Sequence, residues 1–221
     1  MKFCSLFLII STFVILFYSC ATLQPNLKTL SVTAPDVVVA KQDSLLALSK
    51  DKRPEFVTIL TTAHINIARR AESSGDISVA MDEYQKVLKI DPSLIKARYW
   101  LGKEYRIARK YQKAIEQLKL FLDDQSNNPN AITENLIDAN FELAKALKFS
   151  KKFEEAIPRF NKVLELDPKA HGARLLLGIT FVDSGKIEKG IDEIKSYIRV
   201  DGYNPWPHHE LGRALTLSKE F

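Results

Sequence analysis

Apolar residues recur at helical spacing along the segment LGKEYRIARKYQKAIEQL at 101–118, with charged and polar residues between them. This pattern predicts amphipathic α-helix with one face turned toward a core. Gly102 interrupts the pattern near its start, and the same Leu–Gly pair returns at 177–178 and at 211–212. Because glycine inside a helix costs about 1 kcal/mol relative to alanine, we expect packing at these positions to require a very small side chain.

Small residues recur along the chain at intervals of 34 residues, with one interval of 42 that indicates an insertion. An Asp–Pro pair also recurs, at 91–92 and at 167–168, across one interval of each kind. The first small series is Ala68, Gly102, Ala144, Gly178 and Gly212, and the second is Ala80, Ala114, Ala156 and Gly190. Three patterns that share one period indicate an internal repeat.

The repeat resembles the tetratricopeptide repeat family, whose unit is a helix–turn–helix of about 34 residues. The signature residues of one unit are Leu101, Gly102, Tyr105, Ala114, Leu118 and Phe121. The resemblance implies units at 61–94, 95–128, 137–170 and 171–204, with a partial fifth unit at 205–221. The implied fold is all-α, with antiparallel helix pairs stacked into a right-handed superhelix, an α-solenoid.

The spacing of the small residues has a physical explanation in such a fold. They would mark the points where paired helices approach most closely, since larger side chains would push the axes beyond their usual separation of about 8–10 Å. Large apolar residues such as Leu118 and Phe121 could then be buried around them. Each buried side chain of this kind contributes about 1.5–3 kcal/mol, enough to offset one glycine.

Proline and glycine predict several helix ends and turns. The Asp–Pro pairs close second helices, because the residue before proline is pushed out of the helical region. Gly75 and Gly185 fall between paired helices, where a left-handed conformation costs glycine little. Pro158 predicts that its helix begins near 153–155, since proline is tolerated in the first helical turn.

The N-terminus has a different pattern. Lys2 supplies a positive charge, and 3–18 is a charge-free apolar run, shorter than the about 20 residues that a spanning helix needs. Such a run is typical of a secretory signal. Because Cys20 follows almost directly, the segment resembles a bacterial lipoprotein signal peptide, which implies removal of 1–19 and lipidation of Cys20. An uncleaved membrane anchor and a plain signal peptide are the alternatives.

The remaining chain divides by composition into a tether and a repeat domain. We expect 20–53 to be a flexible, membrane-proximal tether and 54–221 to form the repeats. The only cysteines in the sequence are Cys4 and Cys20, so the exported domain would contain no disulfide. Ala21, rather than aspartate, after Cys20 favours the outer membrane over the inner membrane, and the expected location is the periplasm-facing side of a bacterial cell envelope.

Charge and motifs exclude several functions. The 32 basic and 27 acidic residues leave a net charge of +5, short of the clustered excess expected of a nucleic-acid binder. The sequence contains no phosphate-binding loop, nucleophile elbow or zinc-ligand spacing, so we expect neither an enzyme nor a bound cofactor or metal. His208 and His209 are adjacent, and adjacent side chains on a helix do not converge on one ion.

The resemblance also implies where partners bind. Stacked helix pairs form an extended concave surface, and in the family it is lined mainly by five positions of each first helix. Carried over to this chain, the partner-binding residues are Arg69, Lys96, Tyr99, Lys103, Arg106, Phe141, Lys145, Lys148 and Arg213. Cations beside aromatic rings suit an acidic or carboxylate-bearing protein segment.

The expected function is therefore that of a lipid-anchored adaptor or scaffold of a bacterial cell envelope, which holds partner proteins in its concave groove. Lipoproteins of this architecture resemble envelope assembly factors. One alternative is a helical partner of a solute transporter, in which Tyr99, Phe141 and their basic neighbours enclose a small anion. Another is a scaffold on an uncleaved inner-membrane anchor.

Overall fold

The computed structural model describes residues 53–126 and 132–219, and within these ranges the backbone forms nine α-helices and no strand. The helices are α1 Arg53–Ser74, α2 Ile77–Ile90, α3 Lys96–Ile107, α4 Tyr111–Ser126, α5 Thr133–Phe149, α6 Phe153–Leu166, α7 His171–Asp183, α8 Ile187–Ile198 and α9 Pro205–Leu217. The predicted all-α fold is confirmed. The signal segment, Cys20 and most of the tether lie outside the described residues, and none of the nine helices combines the length and apolar character needed to cross a bilayer.

The chain divides into two units at the boundary between Ile67 and Ala68, inside α1. In the described part of the first unit, 53–67, Phe56 and Leu60 are buried. In the second unit, consecutive helices pack against each other from α2 through α9. The first helices α3, α5, α7 and α9 also contact one another in that order, as expected of a repeat solenoid.

Glycines stand where paired helices approach most closely. A Cβ atom on Gly102 would lie 2.7 Å from Cγ of Leu118, and one on Gly178 would lie 2.9 Å from Cγ1 of Ile194. The hypothesis that close packing requires these glycines is therefore confirmed at both positions. At Gly212 a Cβ atom would meet nothing within 4 Å, so the same repeat position on α9 is not packed against a second helix in the described chain.

The predicted helix boundaries hold, with one difference. Asp91 and Asp167 are extended and end α2 and α6, as the Asp–Pro pairs predict. Helix α6 begins at Phe153, within the predicted range, but Pro158 is then its sixth residue and lies beyond the first turn. Because proline has no N–H, the carbonyl group of Glu154 loses its intrahelical hydrogen bond.

The four turns between paired helices share one backbone motif. Gly75 and Gly185 have positive φ angles of 78° and 83°, as predicted, and Arg109 and Lys151 occupy the same repeat position with φ of 58° and 61°. In each turn the N–H group of the following residue bonds a carbonyl five residues back, as Lys110 does to Tyr105 at 2.8 Å. This is the Schellman ending, which favours glycine at the left-handed residue.

We expect glycine at Arg109 or Lys151 to raise the free energy of unfolding by about 0.5 kcal/mol each, because relief of the left-handed strain exceeds the added entropy of the unfolded chain. Chemical denaturation of the two variants measures this gain. Gly75→Ala and Gly185→Ala are the matched controls and should be destabilised. Loss of stability in both Arg109→Gly and Lys151→Gly would contradict the strain argument.

Candidate partner-binding face

Ion pairs join successive first helices along one surface. Glu142 on α5 accepts from Nε of Arg106 on α3, and it also binds Nζ of Lys145 at 2.6 Å. Asp183 on α7 binds Nζ of Lys148 and Nη2 of Arg213, each at 3.0 Å. We call this surface the first-helix face and define it by Tyr99, Arg106, Phe141, Glu142, Lys145, Lys148, Phe149, Asp183 and Arg213.

These pairs change the electrostatics expected from the sequence. Arg106, Lys145, Lys148 and Arg213 were all predicted to contact a partner, and each already binds a carboxylate from its own or an adjacent repeat. Arg213 also binds Glu210, one turn away, at 2.8 Å. Sequence reasoning missed the ion pairs between repeats, because their two partners lie 30 to 36 residues apart along the chain.

The aromatic residues of the first-helix face, of which Tyr99 and Phe141 were predicted to contact a partner, differ in how far they are exposed. Tyr99 is half-buried against Phe121, with ring centroids 5.6 Å apart. Phe141 packs edge-on against the buried Phe160 at 6.1 Å. Phe149 keeps 51% of its surface exposed. It is therefore the ring of this face that is best placed to bury new surface against a partner.

Lysine ammonium groups lie over two of these rings. Nζ of Lys145 is 4.4 Å from the centroid of Phe141, and Nζ of Lys148 is 5.4 Å from that of Phe149. Burial is the main cause that lowers the pKa of Lys145, opposed by its bond to Glu142. The ring and the carboxylate together compensate for the water that this ammonium group loses.

Trp100 contacts two of the predicted partner-binding cations, Arg69 and Lys96, near the start of the second unit. The guanidinium carbon of Arg69 lies 5.2 Å from the Trp100 ring centroid, and Nζ of Lys96 lies 5.8 Å away. Trp100 also stacks with the buried Tyr84, with ring centroids 5.5 Å apart. Trp100 was not among the predicted partner-binding residues, although an aromatic residue between cations at helical spacing is a signal for such a platform.

A buried carboxyl group lies beside this cluster. Glu104 is only 2% exposed, and its neighbour Glu72 accepts a hydrogen bond from the Tyr84 hydroxyl at 3.1 Å. Burial, and then the charge of Glu72, raise the pKa of Glu104 to about 7. Near neutral pH Glu104 therefore keeps its proton more readily than a surface glutamate does. Nothing in the sequence pattern distinguishes Glu104 from a surface glutamate.

Two pockets open at opposite ends of α5. The acidic pocket, of about 250 Å³, is lined by Ile137, Asp138, Phe141, Val163, Ala170, Gly172 and Ala173. The basic pocket, of about 520 Å³, is lined by Lys148, Phe149, Lys151, Phe153, Val182, Asp183, Arg213 and Leu217. Each pocket combines apolar walls with charged groups, an arrangement that suits side chains with an apolar stem and a polar end.

The histidine pair has local contacts. Nε2 of His208 lies 3.0 Å from the carbonyl oxygen of Gly202, and His209 is exposed. Within 53–126 and 132–219 no group of three or more histidine, cysteine, aspartate or glutamate side chains is arranged to hold a metal ion.

Comparison with known proteins places this architecture in a defined class. Residues 137–170 match the family model of the tetratricopeptide repeat. A search of curated protein sequences found no significant match. Among solved structures, a crystal structure of MamA is 25% identical, with a TM-score of 0.59, over 67% of this chain and 82% of that one.

Two further structures have the same fold. MamA 41-end from Desulfovibrio magneticus RS-1 is 16% identical with a TM-score of 0.58, and the match covers 76% of this chain and 95% of that one. YrrB, described as a TPR protein with an unusual peptide-binding site, is 20% identical with a TM-score of 0.58, over 71% of this chain and 77% of that one. These structures define the class as helical-repeat proteins. Residues 137–170 match the tetratricopeptide repeat by sequence, and the chain as a whole shares the helical-repeat fold of these structures.

Proposed function

We propose that the chain is a non-enzymatic adaptor that binds an extended segment of a partner protein along the first-helix face. The observation that carries this proposal is the continuity of the face, since ion pairs centred on Glu142 and Asp183 join four successive first helices. The exposed Phe149 and the two pockets give that surface places to hold side chains. The peptide-binding site described for YrrB supports the same use of this fold.

The ion pairs favour this function over the binding of a small anion by a transporter partner. Lys148 and Arg213 line the larger pocket, and both are already bonded to Asp183. A small anion would have to displace that carboxylate from partly buried cations, and breaking such a pair leaves charges without compensation. A protein segment gains apolar contacts along the face as well, so its binding does not depend on breaking these pairs.

The test combines Phe149→Ala on the first-helix face with Lys103→Glu, a half-buried position of α3 that the sequence also predicts to contact the partner. We expect at least a tenfold loss of partner capture, because the exposed ring and a predicted partner-binding cation are removed together. Capture is measured by cross-linking and pull-down of the full chain from envelope membranes in mild detergent. The control combines Leu120→Ala with Lys189→Glu on exposed positions of second helices. Equal losses of partner capture in the test variant and in the control would show that the partner does not bind at the first-helix face.

We also propose that the adaptor is anchored by lipid on Cys20, in the outer membrane of a bacterial envelope, facing the periplasm. The apolar run 3–18, followed after one residue by Cys20, supports this proposal. Mass spectrometry of the mature protein should find a diacylglyceryl group on Cys20. An intact Met1 would replace this proposal with the uncleaved inner-membrane anchor.

A further inference from the structure

The acidic and basic pockets lie on one face of α5 and have opposite electrostatic character. In the acidic pocket, Asp138 stands at the rim beside Phe141 and Ile137. Burial, and then the negative charges of Glu134 and Glu142, raise the pKa of Asp138 above its ordinary value. Lys145 is nearby, but its ammonium group is bonded to Glu142. This site suits a lysine or arginine of a partner, whose aliphatic stem would pack on Phe141 while its charged end reaches Asp138.

The basic pocket has the opposite balance. Three cations, Lys148, Lys151 and Arg213, line it together with one carboxylate, Asp183. The apolar walls include the half-exposed ring of Phe149. Because Lys148 and Arg213 are bonded to Asp183, Lys151 is the lining cation that an acidic residue can reach without displacing that carboxylate, and the apolar walls suit an aromatic or aliphatic residue next to it.

The geometry of α5 sets the distance between the two sites. Asp138 and Lys148 are ten positions apart in the helix, which corresponds to about 15 Å along its axis. The intervening Phe141 and Lys145 share the same side of the helix by its 3.6-residue period. An extended chain advances about 3.3 Å per residue, so four to five residues span the two sites.

We infer that the segment bound by this protein carries a basic side chain and, four to five residues away, an acidic residue next to an apolar one. The inference rests on the proposed function, and it specifies the partner's chemistry. The basic side chain occupies the acidic pocket, and the acidic and apolar pair occupies the basic pocket. The acidic residues of an acidic segment, one of the partners expected from the sequence, would be repelled at Asp138.

The first experiment is unbiased selection of 12-residue random peptides displayed on phage, with the full chain immobilised in detergent. Peptides whose binding is lost in Phe149→Ala are sequenced, and we expect the basic and the acidic–apolar groups at the stated separation. Enrichment of face-binding peptides without this pairing would overturn the inference and leave the proposed function intact. Failure to enrich any peptide that depends on Phe149 would contradict the proposed function itself.

The second experiment measures synthetic peptides by fluorescence anisotropy. The probes are fluorescein-labelled peptides that carry one arginine and one Asp–Phe pair, in both orders, separated by four residues or by one. We expect one four-residue probe to bind about tenfold more tightly than its one-residue counterpart. Asp138→Asn should weaken the better probe about tenfold and should leave a probe with norleucine in place of arginine unchanged.

The basic pocket has a matched pair of variants for the same assay. Lys151→Asn removes a cation while keeping a residue that tolerates positive φ, and Arg109→Asn makes the same change at the equivalent turn outside both pockets. We expect Lys151→Asn to weaken the better probe several-fold and Arg109→Asn to have no effect. Equal affinities for both spacings, or equal effects of the two asparagine variants, would overturn the inference.

Discussion

Replacing Gly190 by alanine is expected to lower the free energy of unfolding by about 2 kcal/mol. A Cβ atom at this position would lie 2.7 Å from the carbonyl oxygen of Gly178 and 3.0 Å from the backbone nitrogen of Val182, and it would also overlap the Val182 side chain. Because two of these neighbours are backbone atoms of α7, the clash can be relieved only by separating α7 from α8. That separation would loosen the packing around the buried Ile194.

The chain supplies a graded set of controls. At Gly102 the added methyl group would meet mainly the side chain of Leu118, which can adjust, so a smaller loss is expected. At Gly212 it would meet nothing, and the better helix propensity of alanine should raise the free energy of unfolding by about 1 kcal/mol. Chemical denaturation measures all three variants. If Gly190→Ala proved as stable as Gly212→Ala, close approach would not be the reason for the glycine.

Glu104→Gln is expected to remove a pH dependence of stability of about 2–3 kcal/mol. Burial raises the pKa of Glu104 to about 7 in the folded protein, whereas an unfolded chain ionises it near 4.5. Between these values the folded state holds the extra proton, so this contribution to stability is present at low pH. It is lost as the pH rises through the folded pKa, when a charge must develop beside Glu72 without water.

The measurement is the free energy of unfolding of the wild type and of Glu104→Gln at pH 5 and at pH 8. The two proteins should be similar at pH 5, and the variant should be the more stable by about 2 kcal/mol at pH 8. The difference between them isolates Glu104 from other titrating groups, which both proteins share. A difference that stayed constant between the two pH values would contradict the raised pKa of Glu104.

The contacts behind these predictions differ in how far the repeat pattern in the sequence predicts them. The importance of Gly102 and Gly178 follows from the sequence, because close packing imposes the same residue size at the same repeat position. The exceptional crowding at Gly190 does not, since Ala80, Ala114 and Ala156 occupy that position in the other units. Among the described helix pairs, α7 and α8 carry glycine at both of these repeat positions, 178 and 190, and a Cβ atom on Gly190 would meet backbone atoms of α7.

The left-handed turn residues are also only partly predictable from the sequence. Glycine identifies two of the four left-handed residues directly, because it adopts positive φ without strain. Arg109 and Lys151 have the same conformation with no such signal. Their conformation is imposed by the packing of the helices on either side of the turn. The same packing recurs in each repeat, so the same turn conformation recurs with it.

The candidate site was predictable in its location more than in its chemistry. Helical period and family resemblance bring Arg106, Lys145 and Lys148 to one face, and the structure places them there. Their engagement with Glu142 and Asp183 depends on how α3, α5, α7 and α9 are aligned. A shift of one position in that alignment would bring Phe141 or Leu143 to the place of Glu142, and no local pattern specifies the alignment.

The sequence by itself determined the helical class, the period, the small residues at the helix contacts and most helix ends, because each depends on residue size or backbone chemistry within one repeat. Only the tertiary structure decided which charges neutralise each other, which carboxyl group is buried and where pockets remain. Those properties arise between repeats, where the distance between two side chains depends on the packing of whole helices.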